Sequence, residues 1–209
     1  MSLNEYITKK IFDYKPKNGL EYVATFFINI SSIKHGNVTN HVERVSLLSE
    51  VVAEKLNFDM KLAFFDGLLH DVGKIVLPSE LFDDRVISQE EYDEIKKHTI
   101  YGSEILSNYL FLRLCCGLHH AVYHDGYGLT TEDLPKNIGI DNIKKILIIS
   151  TIVSICDFID AFTHRTTKIK TSNETDLKKL LYEKYPNDIN IVDIALNEYP
   201  NIKYWNEES

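Results

Sequence analysis

HVERVSLLSEVVAEKL, residues 41–56, places Val42, Val45, Leu48, Val52 and Leu56 at steps of three and four. That spacing gathers them on one face of an α-helix and leaves Glu43, Arg44 and Glu50 largely off it, with His41 near the helix start. Leu62 to His70 forms a second apolar helical run. Pro78 stops any continuation beyond a turn around Gly73, so His70 and Asp71 lie near a helix end. Ser88 followed by Glu91 is a capping box, opening a helix through Tyr92, Ile95 and Lys96 towards His98, which Gly102 interrupts or ends. Ile105 to His120 is mostly apolar and reads as one or two helical segments, and His124 to Gly128 as a polar, glycine-bearing loop. Asp141 then caps a long helix that carries Asp157 and Asp160 and runs to Phe162.

Tyr22 to Ile33 is β-branched and aromatic enough for a helix or a strand, and its surroundings favour a helix. Two weaker helices, Leu177 to Tyr185 and Ile189 to Leu196, read as peripheral packing elements. No alternating strand pattern, repeat or low-complexity linker stands out. The expected fold class is therefore all-α: a helical bundle with peripheral C-terminal helices.

With 209 residues, 44% hydrophobic and 26% charged, the chain has ordinary globular proportions. Acidic residues outnumber basic ones 31 to 23, for a net charge of -8. A field of that sign repels phosphate backbones, so no nucleic acid polymer is expected as partner, whereas a small phosphate ester held through metal is compatible with it. Cys115, Cys116 and Cys156 lie in apolar runs and read as reduced thiols of a cytoplasmic protein. The polar N-terminus does not resemble a secretory signal. The most apolar stretch, Ile146 to Cys156, is too short for a bilayer and runs into Asp157 and Asp160. A buried helix and no membrane partner are expected.

Histidine is the informative residue type: His35, His41, His70, His98, His119, His120, His124 and His164. Taken alone, each is more often a surface or hydrogen-bonded core residue than a ligand. The combination alters that balance, because His70 adjoins Asp71 at a helix end, His119 adjoins His120, and Asp157 interrupts the most hydrophobic helix. A carboxylate in such a run costs several kcal/mol unless it is paired or binds a cation. Imidazoles with carboxylates suit iron, manganese and related divalent ions. Adjacent Cys115 and Cys116 lack the spacing of a thiolate zinc site and read as core residues.

The ordered set His41, His70-Asp71-Val72-Gly73-Lys74, His98 with Gly102, His119-His120, Asp125-Gly126-Tyr127-Gly128 and Asp157 resembles the HD-GYP branch of the HD-domain metal-dependent phosphohydrolases. The resemblance covers His35 to Lys168. It implies a helical HD-domain bundle with two divalent metal ions per chain, iron first and manganese next. The implied activity is hydrolysis of cyclic di-GMP to a linear dinucleotide or GMP. Carried over by position, one metal takes His41, His70, Asp71 and Asp157, and the other takes Asp71, His98, His119 and His120, with Asp71 bridging. Two cations sharing a water lower its pKa and place a hydroxide for in-line attack on phosphorus. Lys74, one turn beyond His70 if the helix continues, would offset charge on the phosphoryl oxygens, its alternative being a solvated lysine. Gly73 either admits a close approach or permits the turn. Asp160 is either a support for a ligand histidine or a helix-surface acid. Arg165 and Lys168 fall where the family meets substrate phosphate, or form a solvated charge pair. On this reading residues 1–34 are an N-terminal helical extension, 35–170 the phosphohydrolase domain, and 171–209 a C-terminal helical extension packed on it.

The chain departs from the family pattern at three places, the first of which bears on substrate choice and partner docking. Where the family's loop ends in glycine-tyrosine-proline, this chain reads Gly128-Leu129-Thr130, and it has one extra residue after the double histidine. Asn37 stands where some relatives carry a glutamate for a third metal, so two metals are expected. Arg165-Thr166-Thr167-Lys168 replaces an arginine, proline, tyrosine and arginine run. His35 and His164 read as structural or exposed, and His124 as a surface residue near the site mouth.

Three other readings stay open: an HD-family phosphohydrolase acting on another cyclic dinucleotide or nucleotide, a catalytically impaired metal- or nucleotide-binding signalling module, and oxygen-dependent di-iron chemistry. Retention of the full ligand set weighs against the module, and Lys74 with the double histidine against the oxygenase. A homodimer through the peripheral helices, or a separate regulatory protein, are the partners considered beyond the small nucleotide substrate.

Overall fold

The computed structural model describes residues 1–82, 85–123, 126–164 and 174–203. In chain order the α-helices are α1 (Leu3–Asp13), α2 (Leu20–Lys34), α3 (Gly36–Lys55), α4 (Met60–Leu69), α5 (Gln89–Lys96), α6 (His98–Ile105), α7 (Leu110–Leu118), α8 (Ile140–His164), α9 (Glu174–Lys184) and α10 (Ile189–Lys203). Short 3-10 turns occur at Val72–Val76, Ser79–Phe82 and Thr131–Asp133. No strand occurs among the described residues, and the fold is all-α as expected. Tyr22 to Ile33 is helical.

The centre is a layer of α3, α4 and α8. The helix α3 packs against α4, α8, α10 and α2, while α4 also meets α7 and α8. Val42, Val45, Leu48 and Val52 are wholly buried, as their spacing requires. The residues expected off that face are buried too, which the apolar stripe alone did not indicate. Asn4 of α1 donates to Glu43 at 2.8 Å. Lys10 pairs with Glu50 at 2.8 Å and the Tyr14 hydroxyl makes a short hydrogen bond to it. The first helix thus roofs the polar flank of α3 and supplies the partners that buried carboxylates need. Burial nevertheless pushes Glu43 up to about 7, against the pull of Asn4 and Arg44.

Ile140–His164 is the one described helix long and apolar enough to cross a membrane, longer than the apolar run inside it suggested. Most of its apolar stretch is buried against α3, α4, α7 and α10, as in a core helix. Asp141 lies within its first turn rather than at its cap. The C-terminal helices add Leu181, Tyr185, Val192 and Ala195 to the same apolar cluster, which extends from Leu3 to Ile202. Ser154 and the Tyr185 hydroxyl meet at 2.8 Å.

All three cysteines are buried and free. Beside Cys115, on α4, Asp66 is wholly buried and neither of its carboxyl oxygens has a hydrogen-bond partner. Burial holds its pKa well above the ordinary carboxyl value, so the folded protein keeps a proton that the unfolded chain releases. Above the unfolded value, stability therefore falls as pH rises, by about 1.4 kcal/mol per unit, until the folded carboxyl ionises. Asp66→Asn is expected to remove that slope, so that its stability relative to wild type increases as pH rises above the ordinary carboxyl range. Urea unfolding at several pH values checks this, and a pH-independent difference would contradict a neutral Asp66.

Candidate metal centre

Five features of local sequence aim side chains at one point. His41 projects from the second turn of α3, and His70 and Asp71 sit where α4 ends. The capping box at Ser88 starts α5, the chain breaks at Lys97, and α6 opens on His98. His119 and His120 follow the last turn of α7, and Asp157 points inward from α8.

Among the described residues, three overlapping groups each place their donor atoms within 4.8 Å of one another: His41, His70 and Asp71; His98, His119 and His120; and His70, His119 and Asp157. Asp71 lies between the first two. Its Oδ2 is 3.4 Å from His70 Nε2 and 3.8 Å from His41 Nε2, whereas its Oδ1 is 3.3 Å from His98 Nε2. Asp157 joins the two sides from above, with Oδ1 3.0 Å from His41 Nε2 and Oδ2 3.7 Å from His120 Nε2. All seven residues expected as ligands are thus brought together.

The outer ring nitrogens are engaged by other groups. His70 Nδ1 donates to the Gly67 carbonyl at 2.8 Å, His98 Nδ1 to Ile95 at 2.7 Å and His119 Nδ1 to Cys116 at 2.5 Å. His41 Nδ1 donates to Asp160 at 2.8 Å, and His120 Nδ1 is 3.3 Å from the Tyr123 hydroxyl. A ring fixed in that way turns the Nε2 lone pair inward, the tautomer a metal ligand needs. His70 Nε2 and Asp71 Oδ1 are buried and make no hydrogen bond. Buried polar atoms without partners are costly, and a cation would satisfy both. The donor set therefore fits divalent metal ions of the kind held by imidazole and carboxylate.

At three of the histidines charge supports the same use. Burial lowers His98 to about 4 and His120 to about 3, and His119 well below its ordinary value, keeping these rings neutral. Burial also acts to lower His41, but Asp157 and Asp160 outweigh it and raise it to about 9. Asp71 is held well below the carboxylate range, where Lys74, His70 and His98 overcome its burial.

Lys74 does not extend the helix beyond His70, because α4 stops at Leu69 and the chain turns into the 3-10 segment. The ammonium is buried and makes a short contact with Asp71 Oδ2, so it belongs to the cluster rather than to solvent. Asp160 is buried behind His41, where it accepts from Arg44 Nε at 2.7 Å and Nη2 at 2.8 Å, and from the Tyr199 hydroxyl at 3.1 Å. Arg165, Lys168, His124 and Asp125 lie outside the described residues. His35 is buried against Phe82, and His164 meets Tyr199 at 3.1 Å.

Sequence reasoning missed several contributors. Arg44 falls one turn after His41, a signal that was present and read only as lying off the apolar face. Tyr127 stacks on His120 at 4.6 Å, and its amide donates to the His120 carbonyl at 2.9 Å, so the altered loop remains fastened to the double histidine. Tyr199 comes from α10 and carries no local signal. Tyr199→Phe is expected to weaken metal affinity about tenfold and stability by about 1 kcal/mol, since it deletes one hydrogen bond behind a ligand histidine. Chelator competition checks this, and unchanged affinity would remove α10 from the support of the site.

A family model described as HD domain matches residues 38–163. No curated protein matches the chain. Among solved structures, the HD domain of L. monocytogenes phosphodiesterase PgpH aligns with a TM-score of 0.55 at 19% identity, covering 83% of this chain and 94% of that one. The same domain in complex with Cyclic-di-AMP aligns with a TM-score of 0.55 at 18% identity, over the same shares. At those identities the likeness is one of fold.

Proposed function

The chain belongs to the HD domain family, and from that premise we propose that it is a metal-dependent phosphodiesterase of the HD-GYP type, hydrolysing cyclic di-GMP to the linear dinucleotide or GMP. The observation that carries this reading is Asp71, whose two oxygens face two separate sets of imidazoles. His41, His70, Asp71 and Asp157 would hold one ion, and Asp71, His98, His119 and His120 the other. Bound there, two divalent cations, iron first and manganese next, supply Lewis acidity and an activated water for in-line displacement at phosphorus.

The chain's own residues do the rest. Asp160 fixes the His41 ring, and backbone carbonyls fix His70, His98 and His119. Lys74 holds a buried ammonium beside Asp71, positioned to meet charge that develops on a phosphoryl oxygen. Tyr127 lies along the His120 ring. Arg165 and Lys168 are proposed as further phosphate contacts by the resemblance alone. On the same footing residues 35–170 form the phosphohydrolase domain, with helical extensions on either side.

A second reading keeps the chemistry and changes the base, because a solved structure of similar fold was obtained in complex with Cyclic-di-AMP. The deciding experiment is metal analysis of the purified chain, followed by incubation of cyclic di-GMP and cyclic di-AMP with iron or manganese present. About two metals per chain with a linear or mononucleotide product from cyclic di-GMP is the expected result. Turnover of cyclic di-AMP alone replaces the substrate, and bound metal without turnover of either favours the signalling-module reading.

A further inference from the structure

On the Asp157 side of the cluster, Lys184 at the end of α9 has its ammonium 3.4 Å from the centre of the Tyr123 ring and 5.0 Å from that of Phe158. No carboxylate among the described residues pairs with it. Tyr123 reaches His120 through its hydroxyl at 3.3 Å, so Lys184 stands one aromatic ring away from the ligand set. Phe158 directly follows Asp157 on α8. Lys184 and both rings are half-buried, so each keeps some exposure to solvent. Burial pushes the Lys184 pKa down while the Asp157 carboxylate pulls it up, without a direct ion pair between them.

A half-buried ammonium without an acidic partner is unusual in a chain of net charge -8. Cation–π contacts with two rings compensate part of its desolvation and hold it in place, and the last turn of a helix favours a cation. Neither supplies the hydrogen-bond acceptors that an ammonium requires. A phosphate oxygen would. A cyclic dinucleotide carries two phosphodiesters, and when one lies at the metal cluster the other needs a cation elsewhere.

We propose that Lys184, framed by Tyr123 and Phe158, forms an anion subsite that binds the phosphodiester not being cleaved. The subsite rests on the phosphodiesterase reading for its substrate but draws on residues outside the ligand set, one of them from the C-terminal helices. It is a substrate-binding position, so its loss acts on KM more than on kcat.

The test compares Lys184→Gln and Lys184→Arg with wild type in the full, manganese-loaded chain. Lys184→Gln is expected to raise KM for cyclic di-GMP about tenfold with kcat within about twofold, as for loss of one charge-assisted hydrogen bond. It should change KM much less for bis(p-nitrophenyl) phosphate, which has a single phosphodiester, and leave metal content intact. Lys184→Arg should restore most of the affinity. Unchanged KM and unchanged binding of cyclic di-GMP in Lys184→Gln overturn the subsite while the phosphodiesterase reading stands. Equal losses with both substrates, together with lost metal, also overturn it by showing a structural role. If wild type hydrolyses neither ester, calorimetric binding of cyclic di-GMP decides: affinity that depends on Lys184 keeps the subsite and dismisses the reaction, and no binding dismisses the subsite.

Discussion

Asp71→Ala is expected to reduce bound metal from about two ions per chain to one at most and to slow phosphodiester hydrolysis at least about a thousandfold, roughly 4 kcal/mol of barrier. The size follows from position. One oxygen faces His70 and His41, the other faces His98, and no other described carboxylate pairs with His98. Asp157 reaches His41 and His120 but approaches from α8, and it cannot replace Asp71 between His70 and His98. The substitution also deprives the buried Lys74 ammonium of its partner, which costs about 3–5 kcal/mol of stability in its own right. Asp71→Asn, which keeps shape and one carbonyl oxygen, separates the two effects. Metal analysis of folded protein is the measurement, and an unchanged metal content would contradict the bridging position.

The second large effect is expected at Gly73. A Cβ there would stand 2.0 Å from the His98 carbonyl oxygen and 2.6 Å from the Gly102 nitrogen, both backbone atoms. No side-chain rotation relieves such a contact, so α6 must move away from the 3-10 turn. Gly73→Ala should cost about 3 kcal/mol or more in urea unfolding, at the upper end of overpacking substitutions. Because α6 begins at His98, the same displacement separates His98 from Asp71 and should weaken metal binding alongside stability. Wild-type stability with wild-type metal content would refute this account. Of the two roles Gly73 could play, the close approach is the one seen, and Gly102 is its counterpart, with Cys116 Sγ 2.5 Å from its own would-be Cβ.

Much of the helical class was legible because periodicity is local: Val42, Val45, Leu48 and Val52 share a face through bond geometry alone. The capping box at Ser88 and Glu91 was legible for the same reason, and it formed as read. The ends of elements were less so. The chain breaks at Lys97 and passes Gly102 within a helix, and α10 continues to Lys203, beyond the expected Leu196. At α3 the stripe was right and its inference incomplete, because the flank of Glu43, Arg44 and Glu50 is covered by α1 and by the Asp160 side of α8.

Residue types and helix ends drew attention to His70-Asp71, His119-His120 and Asp157, while the full set of seven ligand candidates, with His41 and His98, came from the family resemblance. Their convergence, the inward turn of each Nε2 and the position of Lys74 could not be read from the sequence. Those depend on contacts between residues far apart in the chain: Arg44 with Asp160, Tyr199 with Asp160, Tyr123 with Lys184. Amino-acid order by itself determined an all-α chain carrying imidazoles and carboxylates suited to divalent metal. Tertiary packing alone decided which buried charges have partners and which lysine rests on aromatic rings without one, because pairing energy depends on distances that local periodicity does not encode.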